Sequence, residues 1–284
     1  LLIQFVFVIM SITTPNQCGK MDPSTIFEKL DNIPPKTVQK QNFTVADRLF
    51  GMSPETIYRL GSFAVLNLSI NLKGLELFEN TCNLFFDTTE DTEEWLIRCV
   101  QEGLINVDRK KGSTQFLPSE DLGEYFRNES SEEDKTLFYQ VIDRYCFDWF
   151  TYVSIILEID LPVKDEDKRN FFIRPAGLLD NLIHLPQHQA YFIDVVNISY
   201  SWQESLFYLG KFDESADVSN FICFPLARNG DRAVAKSLLL RIISVTKGMA
   251  NLASRINLAT LLREEAKLDE AKSLYKGTIL GLMR

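Results

Sequence analysis

The chain has 284 residues, 45% of them hydrophobic and 24% charged, with a formal net charge of −9 and a pI near 4.9. That length accommodates two domains or one elongated helical array, and the hydrophobic share excludes a disordered chain. The acidity argues against general affinity for nucleic acid or an anionic membrane, because phosphate contacts need clustered Lys and Arg.

The chain opens on an apolar run at residues 1–13, LLIQFVFVIMSIT. No Lys or Arg precedes the run and no small-x-small cleavage site follows, as a secretory signal requires. It is also shorter than the ~20 residues that span a bilayer, so it reads as a buried core helix. A polar loop and a short helix, STIFEKL, come next, and Pro34-Pro35 stops any helix. Residues 1–46 thus read as a helical remnant of a larger domain.

Residues 47–130 form a second block. Ser53 as N-cap and Pro54 at the first helical position open a helix through Tyr58, Leu60, Phe63 and Leu66. A second helix fits 71–84, with Leu72, Leu75, Leu77 and Phe78 apolar. A third fits 92–102, with Trp95, Leu96, Cys99 and Val100 inward and Gly103 as C-cap. The period then changes: LINVD (104–108) and TQFLP (114–118) flank the polar turn RKKGS, a β-hairpin signal. SEDLGEYFR closes the block as a short helix. Three helices followed by a hairpin is the order of a winged helix.

From 131 to 284 the pattern is almost wholly helical. TLFYQVIDRYCFDWFTYVSIILEI predicts one long helix ended by Pro162; its aromatics, Phe138 to Tyr152, occupy more than one face and read as core. Further helices fit 165–184, 187–209, 212–224, 231–247, 249–265 and 268–283. In the last pair, Leu258, Ala259 and Leu262 share one face, and Ala271, Leu274, Tyr275 and Thr278 share the next. Small Ala259 and Ala271 allow close backbone approach beside Tyr275. This is the pattern of a tetratricopeptide repeat, which must stack on neighbours to bury its apolar face. Gly210-Lys211-Phe212-Asp213-Glu214-Ser215 matches Ala266-Lys267-Leu268-Asp269-Glu270-Ala271 at a displacement of 56 residues, against about 34 in the usual repeat. On the first helix of the last pair, Arg255, Asn257, Thr260 and Arg263 are the candidate partner-binding residues.

Catalytic patterns are sparse. A phosphate-binding loop needs G-x-x-x-x-G-K-[ST], and Gly19-Lys20-Met21 and Gly210-Lys211-Phe212 both depart from it. His184 and His188 have the i, i+4 spacing of helical zinc pairs, but Pro186 lies between them and no thiolate is near. Five scattered cysteines without C-x-x-C point to a reducing compartment, so the four N-x-[ST] sequons at Asn42, Asn67, Asn128 and Asn197 read as chance matches. The would-be recognition helix carries Glu93, Glu94 and Glu102 with only Arg98 basic, which opposes DNA recognition; the turn residues Arg109, Lys110 and Lys111 are a solvated wing.

The order of helical remnant, winged helix and repeats resembles the C-terminal half of STAND-class signalling ATPases of the NB-ARC type. LLIQFVFVIMSI looks like the apolar helix after that family's G-x-P-L element. SPETIYRLGSFAVLNLSINLKGLELF is similar to its winged-helix opening, Gly103-Leu104-Ile105 to the x-S-L-[LI] before its wing, and FLPSEDLGEYFR to its HPLLREFAR segment. The family's His is replaced around Leu117. The resemblance implies an all-α fold: a winged helix with a small β-hairpin, followed by an α-α superhelical, tetratricopeptide-like array over 131–284. It implies a cytoplasmic, non-catalytic regulatory and protein-interaction region, whose repeats hold a protein partner or an upstream domain of the same chain. ATP or ADP would bind only a domain upstream of Leu1, and the full-length protein would form an ATP-dependent oligomer. No cofactor, metal, membrane or nucleic acid is expected for these residues. The alternative is a winged-helix DNA-binding transcriptional regulator with a repeat sensor.

Overall fold

The computed structural model describes residues 23–33, 43–86, 90–110, 113–156, 192–228 and 230–282. The apolar run at 1–13, the helix expected over 165–184 and both histidines lie outside them. The described residues are predominantly helical, with one small antiparallel sheet. They form two compact units, residues 1–131 and 132–284.

In the first unit, α1 (Pro23–Asp31), α2 (Val45–Leu49) and α3 (Pro54–Leu66) lead to a two-residue strand, β1 (Ile70–Asn71). Then come α4 (Leu72–Cys82), α5 (Thr92–Gln101), β2 (Ile105–Lys110), β3 (Ser113–Pro118) and α6 (Glu120–Glu129). Local chemistry sets these boundaries. Thr44 and Asp47 form a reciprocal capping box on α2, and Ser53 Oγ accepts the Thr56 amide at the start of α3. Asn67 ends α3 in the left-handed region at φ 50°, and Gly103 at φ 68° turns the chain out of α5 into β2. Asn71 and Asp91 cap α4 and α5.

The sheet order is β1-β3-β2, with Ile70 opposite Phe116 and Val107 opposite the same residue on the other side. The hairpin expected from the sequence is present, but its strands run on to Lys110 and begin again at Ser113. β1 was not expected: two residues are too few to show an alternating pattern, and buried Ile70 is held by pairing with β3. Leu60, Phe63, Phe78, Trp95, Leu96, Leu104 and Phe116 make the core, each fully buried. Gly123 lets α6 close on α3, because a Cβ there would sit 3.0 Å from the Ala64 carbonyl oxygen.

The second unit contains α7 (Glu132–Ile156), α8 (Phe192–Tyr208), α9 (Phe212–Arg228), α10 (Arg232–Val245), α11 (Gly248–Glu264) and α12 (Leu268–Leu282). The aromatic run of α7 packs against α8. Phe150 stacks on Trp202 with centroids 5.1 Å apart, Tyr139 on Tyr208 at 4.1 Å, and Trp202 Nε1 donates to Asp143 at 2.7 Å. Between α8 and α9 the core is polar but satisfied. Ser199 and Ser219 donate to carbonyls one turn back, while Gln203 Nε2 donates to Ser215 Oγ at 2.9 Å.

Three turns in this unit share one backbone design. Gly210 (φ 73°), Gly230 (φ 101°) and Ala266 (φ 61°) are all left-handed. In each, the following amide reaches five residues back: Lys211 to Leu206, Asp231 to Leu226, Lys267 to Leu262. Five residues after each left-handed residue sits a small buried side chain: Ser215, Ala235 or Ala271. The 56-residue match seen in the sequence therefore resolves into steps of 20 and 36 residues. The 36-residue step is the structural repeat: Ile222, Cys223, Leu226, Gly230 and Ala235 of α9–α10 correspond to Leu258, Ala259, Leu262, Ala266 and Ala271 of α11–α12. The 20-residue step joins turns of unlike rank, since α9 both ends one helix pair and begins the next.

Candidate functional site

The four residues expected to face a partner do not converge on one site. Asn257 Nδ2 donates 3.0 Å to Asn220 Oδ1, tying α11 to α9. Arg255 Nε donates to Asn251 Oδ1 at 2.6 Å, and its guanidinium runs beside Gly277 of α12. Thr260 donates to the Ile256 carbonyl and pairs with the Tyr275 hydroxyl at 3.0 Å. Arg263 is exposed. The sequence pattern assigned the correct helix to these residues; what it cannot carry is which neighbouring helix each side chain meets. Unforeseen polar anchors hold α11 from the α10 side: Arg232 donates to the Leu261 carbonyl at 3.2 Å and to Glu264 at 3.0 Å, and Lys236 pairs with Glu265 at 2.7 Å. Two of these, Arg232 and Lys236, stand one helical turn apart, and that i, i+4 cation pair is the signal that would have found them.

In the first unit the charges are built into the helix junctions. Arg59 of α3 and Glu79 of α4 form an ion pair whose side chains are 1% and 4% exposed. The Arg59 guanidinium lies 4.7 Å from the centroid of the Trp95 ring of α5, and Thr92 Oγ1 donates to Glu79 at 3.3 Å. A second cluster joins Arg98, Thr56 and Glu90 across α3 and α5 at 2.6–3.1 Å. Glu93, in the first turn of α5, is paired with Lys29 of α1. The carboxylate hydrogen bond to Glu93 raises the Lys29 pKa above its ordinary value.

Chemistry finds little purchase here. Cys82, Cys99, Cys146 and Cys223 are free, buried thiols. Burial pushes Cys82, Cys99 and Cys223 up to about 12, so the nucleophilic thiolate is suppressed. Among the described residues no group of three or more His, Cys, Asp and Glu is placed to hold a metal. An open groove of about 280 Å³ between α2 and α6 is lined by Thr44, Val45, Asp121, Glu124, Tyr125 and Glu129. Asp121 there is engaged by Arg48, which also donates to the Gly103 carbonyl at 3.1 Å. No helix among the described residues is long and apolar enough to cross a membrane.

Comparison with protein-family models, with curated proteins and with solved structures finds no match.

Proposed function

We propose that the chain is a non-catalytic regulatory and protein-interaction region of a cytoplasmic signalling ATPase: a winged helix followed by tetratricopeptide-like repeats. The observation that carries it is the 36-residue helix–turn–helix repeat from α9 to α12, in which α11 lies against both α9 and α10. Units of this kind leave the outer surfaces of successive helices free to hold a partner. The winged-helix reading is supported by the connectivity α3–β1–α4–α5–β2–β3 and by the sheet order β1-β3-β2. Buried, free thiols support a reducing compartment.

In this proposal the repeats sense a protein partner, and the winged helix transmits the event to an upstream nucleotide-binding core. The Arg59–Glu79–Trp95 junction favours transmission as a rigid body, because it locks α3, α4 and α5 together. The coding sequence ahead of Leu1 tests the proposal. A G-x-x-x-x-G-K-[ST] element after a strand supports it, and an upstream domain without one refutes the ATPase half.

A further inference from the structure

In the first unit α3, α4 and α5 are locked together through the core by Arg59, Glu79 and Trp95. α1 is held differently. It packs against α5 with Ile26 and Leu30, one helical turn apart, buried, while Glu28, Lys29 and Asp31 are exposed. Two ion pairs flank the apolar residues. Lys29 meets Glu93 in the first turn of α5, where Asp91 and Glu94 add to the negative field around its ammonium group. Asp31, the last residue of α1, meets Arg109 of β2. α1 therefore bridges α5 and the β-hairpin. Nine residues are too few for a helix to persist alone in water, so the order of α1 comes from its docking. Ion pairs this exposed add little, which leaves Ile26 and Leu30 as the main anchors.

We propose that α1 is a detachable strap: it occupies a helix-binding surface made by α5 and β2, and it opens as a unit while α3, α4 and α5 stay folded. The opened surface takes a partner helix of the same pattern as α1. That pattern is two aliphatic residues four apart, a cation just before the second and a carboxylate just after it, as in Ile26, Lys29, Leu30 and Asp31. Complementarity sets the order, because the cation meets the acidic first turn of α5 and the carboxylate meets Arg109. A partner then reaches α5 only by displacing α1, which makes the contact autoinhibitory. The inference rests on the seating of α1 and stands whether or not the chain belongs to a nucleotide-driven switch.

Hydrogen exchange of the intact 284-residue chain reads the opening directly. Amides of α1 are expected to exchange at least about tenfold faster than those of α3, α4 and α5, yet more slowly than in a free peptide. Glu93→Gln and Arg109→Ala, both outside α1, should each speed α1 exchange about two- to fivefold and leave α4 unchanged. A labelled synthetic peptide of residues 22–33 then probes the surface by fluorescence anisotropy. In the wild type α1 competes in cis at an effective concentration on the order of 1 mM. A strap mostly closed under that competition implies a peptide Kd of about 0.1 mM or tighter for the Ile26→Asp chain, and binding at least about tenfold weaker to the wild type. Exchange of α1 at the rate of α4 would make it part of the core, and exchange at the free-peptide rate would make it undocked; either overturns the proposal. Equal peptide binding to both chains, or none to the Ile26→Asp chain, overturns the covered site. Loss of protection throughout α3, α4 and α5 in Ile26→Asp refutes the strap as well, because α1 would then be a structural member of the unit.

Discussion

Replacing an alanine by glycine inside a helix normally weakens a protein, yet Ala266→Gly, just past the end of α11, should strengthen this one. Ala266 sits at φ 61°, a left-handed conformation that costs an L-residue about 1–2 kcal/mol through its Cβ. Glycine avoids that cost but loses about 0.5–1 kcal/mol more in unfolded-state entropy. The net expectation is a gain of about 0.5–1 kcal/mol, or about 2–3 °C in melting temperature for a unit of this size. The equivalent turns supply the control. A Cβ at Gly210 or Gly230 would meet nothing within 4 Å, so Gly→Ala there isolates the backbone term. Gly210→Ala should lose about 1 kcal/mol, and Gly230→Ala more, because φ 101° lies farther from the left-handed well near 57°. Urea titration followed by far-UV circular dichroism gives the midpoints, and hydrogen exchange over residues 258–275 confirms where the change acts. A lower urea midpoint for Ala266→Gly than for the wild type would refute the reasoning.

Removing one partner of the buried pair, as in Glu79→Leu, leaves the Arg59 charge in the core and should cost about 3–5 kcal/mol; adding Arg59→Met should recover most of it, as urea midpoints will report. Gly123→Ala should destabilise the first unit by about 1–3 kcal/mol, because its Cβ would press on the Ala64 carbonyl, and amide exchange should rise in α3 and α6. The buried thiols make stability fall with rising pH. Below about 9 both folded and unfolded thiols are protonated, whereas between about 9 and 12 only the unfolded chain ionises, so the urea midpoint should drop from pH 8 to pH 10, and less so in Cys82→Ala. The same thiols should react with a disulfide reagent at pH 8 only after denaturation.

Much of the fold was legible because its signals are local. Ser53-Pro54, Gly103 and the change of period at Leu104 mark boundaries within a few residues, and a cap or a left-handed turn acts over one helical turn. Apart from one short capping box, what escaped depends on distant partners. The capping box at Thr44–Asp47 is a local signal that went unread because α2 is only five residues long. β1 exists through its pairing with β3, which lies beyond two intervening helices and a strand. The repeat register stays open in the sequence for a different reason: Gly210 and Ala266 present the same turn chemistry, although one turn joins pairs and the other lies inside a pair. Only the neighbours of α9, which meets α8, α10 and α11, separate the two. Site residues were least legible of all, since Asn257 and Thr260 look like solvent-facing polar residues until the facing Asn220 and Tyr275 are known.

The pairing of charges also favours the proposed function over the DNA-binding alternative. In the first unit Lys29 is committed to Glu93, Arg48 to Asp121, Arg59 to Glu79, Arg98 to Glu90 and Arg109 to Asp31. Arg59 is buried and out of reach of DNA; the more exposed pairs add little stability, but each neutralises a cation that DNA phosphates would otherwise draw. Two of the carboxylates, Glu90 and Glu93, flank the start of α5, so a duplex approaching that helix would meet negative charge at its N-terminal turn. An electrophoretic shift experiment at about 50 mM salt, where phosphate contacts are strongest, is therefore expected to show no complex. A shift that weakens steeply with added salt and is lost in Arg109→Ala would reverse this conclusion and restore the transcriptional regulator, because it would mean that the Arg109–Asp31 pair opens to give its cation to phosphate.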